Sequence, residues 1–220
     1  MLKYKCLVLD HDDTVVQTER AIGYPYFRDF IERIRPGKTL SFPEYVQDCN
    51  NMVFADMCRV RWQFTDVELQ EEYLGWKAYS RLHIPPICPG IDAVIRKQKE
   101  SGGLVCVASL STREIIERDF LHHFGFLPDA TYDYDLPVDQ RKPNPYALTD
   151  IMARFGLKAE DLLMIDDMKL GCDMAKAVGV PTAFAGWSKA EFPELSSEME
   201  QLCHHTFRSA KDLETFLFEE

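Results

Sequence analysis

Four short apolar runs, three of them ending at a polar side chain, constrain this chain more than any other feature. Residues 4–9 (YKCLVL) run into Asp10, and Leu104–Ala108 (LVCVA) runs into Ser109. Residues 162–165 (LLMI) run into Asp166, and Thr182–Ala185 (TAFA) follows Pro181. Runs this short, rich in Leu and Val and bounded by polar residues, are the pattern of strands buried on both faces of a parallel sheet. A weaker strand candidate surrounds residues 132–134.

Helical patterns fill the intervals. Residues Ile91–Glu100 stop at Gly102 and Gly103, and residues 112–124 stop at Gly125. Ser111 and Glu114 stand at capping-box spacing at the start of that second helix. Residues 145–155 end at Gly156 and residues 170–178 at Gly179, since glycine readily takes the left-handed conformation that closes a helix. Strands alternating with helices predict an α/β fold, a Rossmann-like parallel sheet flanked by helices.

One stretch breaks the alternation. Residues 16–89 carry helical pattern and no convincing strand. Ser41 and Glu44 form a second capping-box pair, and Asp66–Leu82 reads as an amphipathic helix. Pro85, Pro86, Pro89 and Gly90 close the stretch with a stiff joint. The expected organisation is a core of residues 1–15 and 90–220, with a small all-helical cap over residues 16–89.

Bulk properties narrow the partners. A chain of 220 residues can bury a sizeable core. Its formal net charge of -11 opposes nucleic acid and anionic membrane surfaces, which are bound through Lys and Arg. A small anionic substrate is still compatible, because charge in a cleft can oppose the global sign. The seven cysteines show no CxxC spacing, and Cys6 and Cys106 fall inside the apolar runs. A reduced, cytoplasmic setting is the simplest expectation. The first ten residues lack the apolar run of a signal peptide, and no stretch is long enough to span a bilayer.

The strand ends collect the chemistry. The first strand delivers Asp10, His11, Asp12, Asp13 and Thr14, the second Ser109, and the later one Asp166 and Asp167. Lys142 lies in the loop RKPNP. Ligands of open parallel sheets bind outside the carboxyl ends of the strands, so these groups are expected in one cleft. A carboxylate is a competent nucleophile toward phosphorus. Asp12, two residues beyond Asp10, can protonate a leaving oxygen and then take a proton from water. Carboxylates so crowded repel one another, and Mg²⁺, which prefers oxygen ligands, relieves that repulsion. Ser109, Leu110 and Lys142 are the expected phosphate-binding residues, from a hydroxyl, amides at a helix start and an ammonium group.

An acidic pentad after an N-terminal strand, then strand-Ser, then loop Lys-Pro, then strand-Asp-Asp, resembles the haloacid dehalogenase superfamily, in its phosphatase and beta-phosphoglucomutase-like branch. The resemblance covers about two thirds of the chain. Pro89-Gly90 resembles the family's return from cap to core, and GCDMAKAVG (171–179) resembles the helix after its fourth motif. The resemblance implies Asp10 as nucleophile, and as metal ligands the Asp10 side chain, the Asp12 carbonyl and the Asp167 side chain. Asp166 is a further metal candidate. His11 stands where the family often has an apolar residue, Asp13 where it often has Gly, Asp166 where Gly or Glu is common, and Met168 where a hydroxyl is common.

Other residues have plainer expectations. His11, Arg59 and Arg61 are candidates for substrate contact, with Trp62, Lys77 and Arg81 beside them in the cap. A structural histidine and a solvated basic face are the ordinary alternatives. Cys203, His204 and His205 have no second cluster at ligand spacing and are expected to be structural. Phe120, Phe124 and Phe126 are expected in the core.

The expected function is Mg²⁺-dependent hydrolysis of a small phosphorylated metabolite through an aspartyl-phosphate on Asp10, with the cap excluding water from the site. A phosphomutase of the beta-phosphoglucomutase type shares the nucleophile and the acid/base residue. A phospho-accepting signalling module of the response-regulator kind places its acidic pair and acceptor on different strands and lacks a helical insert. Asp12 beside Asp10 favours turnover over such a module, because it supplies the base for dephosphorylation. Dehalogenase chemistry, which needs neither Asp12 nor a metal, and phosphonate cleavage, where another residue replaces Asp12, are disfavoured.

Overall fold

The computed structural model describes residues 2–51 and 54–219. Its chain divides into two compact units, one of Met1–Val16 with Ile87–Glu220 and the other of Gln17–Pro86.

The first unit is built on a six-stranded sheet. Its strands are β1 (Cys6–Leu9), β2 (Leu104–Ala108), β3 (Ala130–Tyr132), β4 (Leu162–Asp166), β5 (Thr182–Ala185) and β6 (His205–Phe207). Every pairing is parallel, in the order β3-β2-β1-β4-β5-β6. This is the doubly wound order, with its switch point beside β1.

Alternation of side chains along β1 explains why its run is wholly apolar. Leu7 and Leu9 enter one core layer with Ile91, Val94, Ile116, Phe120 and Leu213, while Cys6 and Val8 enter the other with Leu148, Ile151 and Met174. Both faces are therefore covered by helices, and a polar residue at any of these positions would be desolvated. Phe120 and Phe124 pack in the first layer, with Phe126 partly buried against it.

Two local expectations are corrected. Strand β3 ends at Tyr132 and does not extend through residue 134. The helix after β2 runs over Arg113–Phe124 from an N-cap at Thr112, without a side-chain cap bond. The Ser111 N–H is already donated to the Ser109 hydroxyl at 3.2 Å, so it cannot close a box with Glu114.

The second unit, among the described residues, contains four α-helices: α1 (Tyr24–Ile34), α2 (Phe42–Asn51), α3 (Phe54–Trp62) and α4 (Asp66–Leu82). Both anticipated starts appear here. The Ser41 N–H donates to Glu44 at 2.8 Å and the Thr65 N–H to Glu68 at 2.8 Å, each as half of a capping box. The core is aromatic, with Phe27 set 5.7 Å from Tyr45, 6.2 Å from Trp62 and 6.2 Å from Phe64 between ring centroids. Among the described residues, no helix is long and apolar enough to cross a membrane.

Candidate active site

The site lies at the carboxyl ends of β1 and β4, which are adjacent in the sheet. Asp10 follows β1 directly and its N–H donates to the Ile165 carbonyl at 2.9 Å. Asp166 is the last residue of β4 and Asp167 the next. All three side chains are buried, and their oxygens lie within 4.8 Å of one another. Such a set of hard oxygen donors could hold a divalent cation.

Lys142 meets this cluster from the loop before Tyr146–Phe155. Its Nζ is 2.6 Å from Asp10 Oδ1 and 2.7 Å from Asp166 Oδ2, and the side chain is buried. Burial alone would lower its pKa, but the two carboxylates and their hydrogen bonds raise it, so the ammonium form is secured. Burial, foremost, pushes the Asp10 carboxyl well up, and Asp166, Asp167 and Asp12 push in the same direction against Lys142. Asp166 is raised for the same first reason, with Lys142 opposing. The cluster is thus short of positive charge, and a bound cation would offset what burial costs.

Asp166 is also oriented by backbone. Its Oδ1 accepts from the Met168 N–H at 2.8 Å, and a side chain at Gly171 would collide with its carboxylate. Ser109 is buried at the end of β2, and Leu110 beside it is exposed. Ser109 and Lys142 line a common small cavity with Tyr132, Asp133 and Arg141. Asp12 is partly exposed, its side chain at 25%.

The structure turns His11 inward. Its ring is fully buried, with the nitrogens 3.3 Å from Asp12 Oδ1 and 3.4 Å from Asp119 Oδ2, so it offers no surface to a substrate. Arg59 and Arg61 lie in the other unit and pair there with acids. Arg59 is 3.5 Å from Asp56 and 3.3 Å from Asp66, and Arg61 meets Glu44 at 3.6 Å and also Asp48. His204 ties β5 to β6 through the Thr182 hydroxyl at 2.9 Å, a structural role.

A model of the haloacid dehalogenase-like hydrolase family matches residues 4–179, which includes every group in this cluster. The chain belongs to that family. No curated protein sequence matches it. Solved structures of the same fold span nearly the whole of this hydrolase. A haloacid dehalogenase-like protein of unknown function from Agrobacterium tumefaciens superposes with a TM-score of 0.80 at 15% identity, covering 97% of each chain. A mutant of CbbY from Rhodobacter sphaeroides, in complex with xylulose-(1,5)bisphosphate, gives 0.73 at 15% identity and 96% of each chain. A protein described as a "predicted phosphoglycolate phosphatase" from Haemophilus somnus gives 0.74 at 16% identity, covering 98% of this chain and 99% of its own. At these identities the likeness establishes the fold.

One charged residue of the hydrolase site escaped the sequence reading. Lys189, in the turn after β5, is buried with its Nζ 2.7 Å from Asp167 Oδ2 and 3.5 Å from Asp13 Oδ2. The available signal was its position just beyond the fourth apolar run, where a parallel strand delivers residues to the same edge.

Proposed function

We propose that this hydrolase releases inorganic phosphate from a small phosphate monoester, using Asp10 as nucleophile and Mg²⁺ as cofactor. The observation that carries this reading is the buried bridge from Lys142 to Asp10 and Asp166 inside a cluster of three carboxylates. A cation donor held against a buried carboxylate suits an incoming group that is itself strongly anionic.

An Asp10 oxygen attacks phosphorus while the ester oxygen departs with a proton from Asp12. This leaves an aspartyl-phosphate and an alcohol. Water then attacks the same phosphorus, Asp12 takes its proton, and inorganic phosphate leaves with Asp10 restored. Lys142 and the Ser109 hydroxyl hold the phosphoryl oxygens, and the Leu110 backbone stands at the start of the same loop. The side chains of Asp10, Asp167 and Asp166, with the Asp12 carbonyl, would hold Mg²⁺, which supplies charge neutralisation for the transferring group. The bisphosphate and phosphoglycolate in the names of proteins of like fold make a phosphorylated metabolite the natural substrate class.

The test is phosphate release from an activated aryl phosphate and a panel of phosphorylated metabolites. With Mg²⁺ the wild type is expected to turn over, and Asp10→Asn to lose activity by about a thousandfold or more. Equal inactivity of the two proteins across the panel would sink the reading.

A further inference from the structure

The second buried lysine of the site has a distinct position. Lys142 bridges Asp10 and Asp166, whereas Lys189 bridges Asp167 and Asp13. The Lys189 side chain is held by a folded turn. Trp187 Nε1 donates to the Thr14 carbonyl at 3.2 Å, and the Lys189 N–H donates to Gly186 O at 3.2 Å. The Lys189 carbonyl accepts from Phe192 N–H at 2.9 Å and from Ser196 Oγ at 3.0 Å. Asp13 is brought to it by a left-handed backbone, with φ at 56°. The other oxygen of Asp167 receives the Thr14 hydroxyl at 3.4 Å.

One Asp167 oxygen therefore faces a buried ammonium group at 2.7 Å. A divalent cation sharing Asp167 experiences a fixed positive charge at short range, in surroundings that screen poorly. That repulsion weakens binding without removing a ligand.

We propose that Lys189 is a positioning residue for Asp167, a tethered cation that orients this carboxylate and holds down the affinity of the site for Mg²⁺. This rests on the metal reading above. Its consequence is opposite to that of a simple structural role, because removing the lysine charge should tighten metal binding.

Calorimetric titration of the substrate-free chain with Mg²⁺ tests it. Lys189→Met is expected to bind Mg²⁺ about tenfold or more tightly than wild type. Lys189→Gln retains a hydrogen-bond donor to Asp167 and should tighten similarly; it also serves if the Met variant does not fold. Lys189→Arg should bind as wild type does, as should Lys211→Met, which removes an exposed charge on the C-terminal helix Ala210–Phe218. Folded Gln or Met variants that bind Mg²⁺ no more tightly than wild type overturn the proposal, while leaving wild-type phosphate release intact. If neither wild type nor the variants bind Mg²⁺, the metal reading falls with it.

Discussion

Replacing Lys142 with Met would leave Asp10 and Asp166 facing each other with no ammonium group between them. Lys142 is the nearest charge opposing the burial that raises both carboxyls, so its loss raises them further. A protonated Asp10 is a poor nucleophile. Lys142→Met should therefore lower phosphate release by about a hundredfold or more at neutral pH, with a smaller deficit at higher pH. A pH–rate comparison with wild type checks this. At this scale the sequence was informative wherever a residue sits at a strand end. Asp10, Ser109 and Asp166 reach one edge because parallel strands all run the same way. It was uninformative for His11, whose side chain turns between Asp12 and Asp119 rather than outward. Which way a loop side chain turns depends on what packs beside it, and Asp119 comes from a helix more than a hundred positions away.

Within α4, the capping box at Thr65 was set by local chemistry, and the comparable box at Ser111 was lost to a neighbour, Ser109. The same helix buries Glu72 at 5% exposure, and burial pushes its carboxyl up to about 8. An unfolded Glu72 titrates near 4.5, so between about 4.5 and 8 the folded state holds a proton that the unfolded state has released. Its contribution to stability is present below that window and is lost as pH rises through it, by about 1.4 kcal/mol per pH unit. Glu72→Gln should remove this slope, so that the variant gains on wild type between pH 5 and 8. Urea titrations across that range measure it. Parallel curves for the two proteins would contradict the assignment.

For the molecule as a whole, a chain of net charge -11 gathers five carboxylates and two lysines at one sheet edge. On the metal reading, Mg²⁺ binds the folded chain and not the unfolded one, and stabilises it by mass action. At about a hundred times the dissociation constant the gain is about 2.7 kcal/mol, which corresponds to a rise of several degrees in Tm. Thermal unfolding should show that rise with Mg²⁺, its reversal by EDTA, and little response in Asp167→Asn. A wild-type Tm indifferent to Mg²⁺ would count against the cofactor.

The amino-acid sequence by itself determined the parallel α/β architecture, because strands buried on both faces must be apolar throughout and the helices between them must show a helical period. It also determined which polar residues stand at the strand ends, since strand direction leaves them no other edge. Tertiary structure alone decided the pairing of those charges. Lys189 reaches Asp167 and Asp13 from a turn tied to Thr14 by a contact spanning 173 positions. Short β6 (HTF) was likewise hidden, having no apolar run, and it forms because β5 offers an open edge and His204 bonds Thr182. Contacts of this kind are made by the folded chain as a whole, and no local pattern carries them.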